Sequence, residues 1–90
     1  MIVKYDSVTH KVLMLSKFYN KPISYKDCKY IFPSIGKPSD VHRSVLRLSL
    51  SGLIQIVDES TPVWIITPAG ISLVYEMPSK RPPSFVKDKD

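Results

Sequence analysis

The sequence predicts a mainly α-helical domain with a small β-hairpin, an α+β fold whose elements follow the order α-α-α-β-β-α. Apolar residues recur with the period of a helix in several segments, and two short apolar runs on either side of a polar stretch predict the hairpin. At 90 residues, 43% hydrophobic and 23% charged, the chain has the composition of one small globular domain. We expect this domain to span residues 1–78, and residues 79–90 to form a flexible, basic, proline-containing tail.

Two helices are predicted in the first third of the chain. Ser7 is a candidate N-cap for the first, because its hydroxyl can accept a hydrogen bond from a free amide of the first turn. The apolar face of this helix is formed by Val8, Val12, Leu15 and Tyr19. After a short extended piece, Ile23-Ser24, a second helix runs from about Tyr25 to Ile31, and Asp27 resembles the second member of a capping box with Ser24. We expect Cys28 to be a small buried residue of this helix.

The third helix is the most clearly marked element. Ser39 is its predicted N-cap, Asp40 lies in the first turn where the helix dipole favours a carboxylate, and Gly52 suits the left-handed position that ends the helix. The side assigned to the core carries Val41, Val45 and Leu48. Arg43 and Arg47 lie on or near the opposite side, which places both arginines away from the predicted core.

A hairpin follows the third helix. Residues 53–57 and 63–67 predict two strands joined by the polar segment Asp58-Glu59-Ser60-Thr61-Pro62. We expect Trp64, on the second strand, to pack on the core under the hairpin. Thr67 is then the N-cap of a fourth helix, with Pro68 at its first position.

The fourth helix has apolar residues on two faces. One face is formed by Ile71, Val74 and Tyr75. The other is formed by Leu73 and Met77. Because one face can cover the core, the other needs a partner, and a two-fold dimer is the commonest arrangement. We therefore expect a homodimer, with Leu73 and Met77 as candidate contact residues.

Two stretches resemble the winged helix-turn-helix family. In residues 41–54, apolar and polar positions alternate before a Gly-Leu-Ile exit, which is similar to the recognition helix and first wing strand of that family. The segment Ile66-Thr67-Pro68-Ala69-Gly70-Ile71 is similar to the Leu-Thr-x-x-Gly that ends the second wing strand in MarR-like and PadR-like repressors. With the first two helices, the resemblance covers roughly residues 7–77.

The resemblance implies that the helix over residues 39–51 enters the major groove of double-stranded DNA, while the hairpin touches the neighbouring backbone or minor groove. Carried over by position, the candidate DNA contacts are Lys37, Ser39, Asp40, His42, Arg43 and Arg47. Arg43 is the candidate for a bidentate contact to guanine, and Lys37 and Ser39 suit phosphate. Lys26 and Lys29 of the second helix are further candidates for contacts to the phosphate backbone of the DNA. For His42, a base contact and an ordinary solvated histidine both remain open.

Two features depart from the family. The hairpin tip is Asp58-Glu59, where DNA-binding relatives usually present Arg or Lys, so we do not expect it to insert into a groove. Leu46 and Leu50 lie one turn apart on the predicted outward side of the third helix. They leave three alternatives open: a protein contact, contacts to thymine methyl groups, or a core stripe that is wider than Val41, Val45 and Leu48.

The formal net charge is +5, and it is unevenly distributed. Residues 1–36 carry six lysines against Asp6 and Asp27, whereas residues 58–78 carry three acidic residues and no basic one. A basic balance of this size permits a nucleic-acid partner through phosphate neutralisation.

Other classes of function find little support in the sequence. There is no Ser-His-Asp or Cys-His arrangement and no glycine-rich phosphate loop, so we predict neither catalytic residues nor a cofactor. His10, expected at the surface or partly packed, fits no metal-ligand spacing with His42 and Cys28, so no metal site is predicted. The lone cysteine, the lack of a long apolar run and the lack of a signal-peptide pattern predict a cytoplasmic protein without a membrane partner, nucleoid-associated or, if viral, in the host cytoplasm.

The predicted function is sequence-specific binding of double-stranded DNA by a small transcription regulator. The alternative is a winged-helix protein-interaction module, such as an antirepressor or a subunit of a replication or transcription assembly. Arg43 and Arg47, with the basic first half of the chain, favour DNA. Asp58-Glu59, Leu46 and Leu50 favour a protein partner.

Overall fold

The structure, a computed structural model, describes residues 3–4 and 6–76. Its elements are α1 (Val8–Tyr19), β1 (Ile23–Ser24), α2 (Tyr25–Ile31), α3 (Pro38–Leu50), β2 (Ile54–Asp58), β3 (Val63–Ile66) and α4 (Pro68–Glu76). The α+β class is therefore confirmed. The predicted order is wrong in one respect, because strand β1 separates the first two helices. The predicted tail, residues 79–90, lies outside the described residues.

The sheet has three antiparallel strands in the order β1-β3-β2, not the two of the predicted hairpin. Ile23 pairs with Trp64, and Ile54 pairs with Ile66 at the other edge of β3. The pairing shifts register between Ile56 and Asp58, close to the hairpin turn. The central strand β3 therefore joins the segment between α1 and α2 to the hairpin, which fixes where the hairpin lies relative to α2.

The core lies between this sheet and the helices. Trp64 at the centre of the sheet is fully buried, as predicted, and it is the largest fully buried side chain. Helix α1 contributes Val12, Leu13 and Leu15. Helix α3 contributes Val41, Val45 and Leu48, the three residues assigned to its core side. Burial of these apolar side chains holds α3 in place with its opposite side toward solvent.

The caps of α1 and α4 agree with the sequence, and that of α3 does not. The Ser7 hydroxyl accepts a hydrogen bond from the amide of His10 at 3.1 Å, and the Thr67 hydroxyl accepts one from the amide of Gly70 at 3.2 Å. Helix α3 begins at Pro38 with Lys37 as its N-cap, so Ser39 is an exposed residue of the first turn. Proline is favoured at the first helical position because its fixed φ suits the helix, which moves the N-cap two residues earlier, from Ser39 to Lys37.

His10, expected at the surface or partly packed, is instead buried, with 1% of its surface exposed. Its Nδ1 accepts a hydrogen bond from the amide of Asp6 at 2.8 Å, which draws the segment before α1 back over the helix. Lys11 forms an ion pair with the same aspartate at 3.9 Å. The first turn of α1 is therefore covered by the residues that precede it.

Candidate nucleic-acid interface

Helix α3 presents one side to the core and the other to solvent. The buried side includes Ser44, whose hydroxyl accepts a hydrogen bond from the Thr9 hydroxyl of α1 at 2.9 Å. The exposed side consists of Ser39, Asp40, Arg43, Leu46, Arg47 and Leu50. Because the buried side is fixed by packing and by this hydrogen bond, the exposed side chains project from a rigid support, which favours precise recognition of a ligand.

Two arginines lie one turn apart on this exposed side. Within residues 3–4 and 6–76, neither Arg43 nor Arg47 forms an ion pair with a carboxylate. Asp40, the acidic residue nearest in sequence, accepts a hydrogen bond from the amide of Lys37 at 3.3 Å and so acts at the helix N-terminus. Both guanidinium groups are therefore available for an anionic or hydrogen-bond-accepting partner.

Two leucines share the exposed side with the arginines. Leu46 is 53% exposed and Leu50 is 81% exposed. These values exclude the wider core stripe that the sequence left open, because neither leucine is buried in the core. Of the alternatives for these residues, a protein contact and contacts to thymine methyl groups remain.

A groove of about 450 Å³ separates α3 from the hairpin. The α3 wall is formed by His42, Val45, Leu46 and Ser49. The hairpin wall is formed by Gln55, Ile56, Glu59 and Pro62. The groove therefore has the carboxylate of Glu59 on one wall and the imidazole of His42 on the other.

A second groove, of about 300 Å³, lies on the α2 side of α3. It brings Lys26 of α2 together with Pro38 and His42 of α3 and with Thr61 of the hairpin loop. Lys26 therefore belongs to the same surface as α3. A contact between Lys26 and the phosphate backbone of DNA bound at α3 requires this position. Lys29 and Lys37 are exposed, but neither lines this groove.

His42 lies between the two grooves and is half-buried, not an ordinary solvated histidine. Its ring meets that of Tyr25 edge to face, with 6.2 Å between ring centroids. Its Nε2 is buried and has no hydrogen-bond partner in the described part of the chain. Helical periodicity places His42 between the exposed and buried sides of α3, and the sequence alone gives no sign that Tyr25 covers the ring.

The hairpin tip carries negative charge. The Asp58 carboxylate accepts hydrogen bonds from the hydroxyl of Ser60 at 2.7 Å and from its amide at 2.9 Å. These two hydrogen bonds hold the pKa of Asp58 below its ordinary value, and the bond from the hydroxyl has the larger effect. The tip therefore repels phosphate at neutral pH, and the expectation that it does not insert into a groove stays a prediction.

Helix α4 uses both predicted faces against the core. Ile71 and Val74 of the first face and Leu73 of the second are partly buried and pack against the core cluster. Met77, the other candidate dimer contact, lies outside the described residues. Leu73 thus has core neighbours, and a dimer surface at this helix stays a prediction.

The groups that carry catalytic or metal chemistry are scattered in the described residues. Among residues 3–4 and 6–76, no group of three or more His, Cys, Asp and Glu side chains is placed to hold a metal ion. Burial raises the pKa of the Cys28 thiol to about 12, which removes its thiolate at neutral pH. In this part of the chain, no helix is long and apolar enough to cross a membrane.

Comparison with known proteins finds no family model that matches the chain, no matching curated protein and no matching solved structure. The inference of function therefore depends on the side chains of α3, on the two grooves beside it and on the charge of the hairpin.

Proposed function

We propose that the chain is a winged-helix domain that binds double-stranded DNA sequence-specifically, as a small transcription regulator, with α3 in the major groove. The observation that carries the proposal is a pair of exposed arginines, Arg43 and Arg47, on the outward side of a helix fixed by its buried side; neither forms an ion pair within the described residues. An α-helix fits the major groove, and arginine recognises guanine O6 and N7 through two parallel hydrogen bonds.

The position of the hairpin relative to α3 supports the winged-helix assignment. Helix α3 is followed directly by the β2–β3 hairpin, and the two face each other across the larger groove. In this arrangement α3 is the recognition helix and the hairpin is the wing. The third strand, β1, pairs with β3 on the side away from β2 and joins the wing to the start of α2.

Phosphate contacts would come from basic residues around the start of α3. Lys37 precedes the helix, and Lys26 lies across the smaller groove from Pro38. Lys29 is exposed on the same short helix as Lys26. Such contacts fix the register of the helix on the duplex, and Arg43 then supplies a base contact. Ser39 and Asp40, in the first turn of α3, would lie at the end of the helix where these phosphate contacts are made.

We further propose that the protein acts as a homodimer on two half-sites about one helical turn, roughly 34–36 Å, apart. The candidate contacts are Leu73, which packs against the core but is only partly buried, and Met77. Sedimentation of the protein at several concentrations tests this part independently of DNA. A monomer at all concentrations, with binding to a single half-site, would remove the dimer from the proposal.

A protein-interaction module is the second candidate function. It is favoured by the acidic tip Asp58-Glu59 and by the exposure of Leu46 and Leu50. In that case the larger groove and the leucines would receive a protein partner, and duplex DNA would not bind. The two candidates differ in whether the arginines of α3 are needed for binding to DNA.

The test is fluorescence anisotropy of a labelled mixed-sequence duplex, titrated with the protein at several salt concentrations. We expect the affinity of the wild-type protein for the duplex to fall steeply as salt rises. Arg43→Glu and Arg47→Glu should each reduce this affinity about tenfold or more, because each variant places a carboxylate against phosphate or base acceptors. Lys4→Glu is the matched control, since it makes the same charge change at an exposed lysine outside both grooves.

The result that contradicts DNA binding is an absence of binding at low salt by the wild-type protein. Equal losses in Lys4→Glu and in the two arginine variants would instead contradict the placement of α3 on the duplex. Such losses would show that total charge, and not the position of α3, determines the affinity.

A further inference from the structure

The exposed side of α3 alternates positive and apolar side chains. Arg43, Leu46, Arg47 and Leu50 follow at intervals of three, one and three residues, which places all four on one side of the helix. An 81% exposed leucine gains almost nothing from burial in the isolated domain, so Leu50 does not act through the core. A ligand of this side of α3 should therefore contact the leucines as well as the arginines.

The spacing of these side chains matches the spacing of stacked bases. A helix rises about 1.5 Å per residue, so Leu46 lies about 4.5 Å and Leu50 about 10 Å beyond Arg43 along the axis. Base pairs in a duplex are about 3.4 Å apart. For a helix lying along the major groove, Leu46 therefore faces a base about one step from the base at Arg43, and Leu50 faces one about three steps away.

The chemistry of the base edges restricts what a leucine can recognise there. Leucine has neither a hydrogen-bond donor nor an acceptor in its side chain, so it cannot distinguish bases by hydrogen bonding. In the major groove, the apolar group is the C5-methyl of thymine. Leu46 lies between the two arginines and Leu50 lies one turn beyond Leu46 on the same exposed side, so both are placed to contact such a methyl group if α3 enters the groove.

We propose that Leu46 and Leu50 recognise the methyl groups of thymines that lie about one and three base pairs from a guanine bound by Arg43. The proposal rests on the DNA-binding function proposed above. DNA is favoured over protein as the occupant because the two arginines of the same stripe, which have no ion-pair partner in the part of the chain that the structure describes, complement phosphate and guanine. Burying one methyl group changes the affinity about fourfold, so each leucine is expected to make a difference of that size.

The test replaces thymine by deoxyuridine, which lacks only the methyl group. A preferred site is first selected from random duplexes with the wild-type protein, and each thymine of that site is then replaced singly. We expect one or two positions at which the replacement weakens wild-type binding about fourfold. Leu46→Ala and Leu50→Ala should each abolish the effect at one of these positions and leave the other unchanged.

Val57→Ala is the matched control, because Val57 is 52% exposed, as Leu46 is, but lies on strand β2. It should keep the full preference for thymine over deoxyuridine. Because all three side chains are exposed, these variants are expected to fold, and circular dichroism checks this directly.

The outcomes separate this proposal from the one on which it rests. Sequence-specific binding without any effect of deoxyuridine overturns the recognition of methyl groups and leaves DNA binding intact. A deoxyuridine effect that survives in both leucine variants also overturns it. If the wild-type protein binds no duplex at low salt, both proposals fail, and the leucines then belong to a protein-binding surface.

Discussion

The indole Nε1 of Trp64 donates a hydrogen bond to the hydroxyl of Ser16 at 3.0 Å. That hydroxyl in turn donates to the carbonyl of Val12 at 2.7 Å, within α1. Trp64 and Ser16 are both fully buried, so each polar group is satisfied by a neighbour and not by water. This short chain of hydrogen bonds connects the central strand of the sheet to α1 and sets how deeply the indole enters the core.

Removing the hydroxyl should destabilise the fold. In Ser16→Ala the indole N–H of Trp64 loses its acceptor, and a buried donor without a partner costs roughly 1–3 kcal/mol. We expect the free energy of unfolding in urea, followed by the fluorescence of the single tryptophan, to fall by that amount. Ser34→Ala, at an exposed position between α2 and α3, is the control and should change it by less than about 0.5 kcal/mol. Equal effects of the two substitutions would show that the hydrogen bond does not stabilise the core.

Gly70, in the first turn of α4, lets this helix pack closely against the chain before β2, and a substitution can test this role. A β-carbon at Gly70 would collide with the carbonyl oxygen of Leu53, because α4 packs closely against the chain leading into β2. We expect Gly70→Ala to lower the free energy of unfolding by about 2–3 kcal/mol, since backbone atoms have to move. Ser72→Ala, at an exposed position of the same helix, should change it by less than about 0.5 kcal/mol. A Gly70→Ala protein as stable as wild type would show that the two segments lie further apart.

Local patterns were sufficient to predict much of this fold. The helical spacing of apolar residues predicted α1 and the core side of α3, where Val41, Val45 and Leu48 are buried. Two apolar runs of the right length predicted the hairpin, and Thr67 caps α4 as its position before Pro68 indicated. These features depend on residues close together in sequence, so periodicity and cap chemistry are enough to find them.

The features that the sequence did not predict depend on distant residues. Strand β1 is two residues long and becomes a strand only by pairing with Val63 and Trp64. His42 is covered by Tyr25, and Glu59 lies across a groove from α3. No periodic pattern within one segment carries this information, because each contact joins elements that are far apart in the chain. The exposed stripe of α3 was predictable from helical spacing, but the grooves beside it were not.

The stability of the protein should depend on the protonation of His10. Burial of the ring lowers the pKa of His10 below its ordinary value of 6.5. The negative charge of Asp6 partly opposes this shift, and the positive charge of Lys11 adds a smaller lowering. The unfolded chain therefore binds this proton at a higher pH than the folded chain, so stability rises with pH across this range. The contribution is fully present above about pH 6.5 and is lost as the pH falls through the lowered pKa of the folded state.

His10→Asn tests this dependence, because asparagine offers an oxygen acceptor near the position of Nδ1 but does not titrate. We expect the free energy of unfolding of the wild type to fall more than that of the variant between about pH 7.5 and about pH 5. Carboxylates titrate in both proteins, so the difference between the two slopes isolates the imidazole. Parallel pH profiles would contradict a role for His10 in the acid sensitivity of the fold.

The acidic hairpin tip should limit the affinity for DNA. Glu59 lies on the wall of the groove that faces α3, and its charge opposes phosphate near the proposed recognition helix. Glu59→Lys should therefore strengthen binding to a mixed-sequence duplex at low salt and steepen the dependence of log K on log salt by about 0.9, the value for one added phosphate contact. Glu59→Gln removes the repulsion without adding a cation, so it should raise the affinity less and leave the slope unchanged. Asp58 is unsuitable for this test, because its carboxylate accepts two hydrogen bonds from Ser60 and its loss would alter the turn. If neither variant changes the affinity while Arg43→Glu abolishes binding, the hairpin tip lies away from the duplex and α3 alone makes the contact.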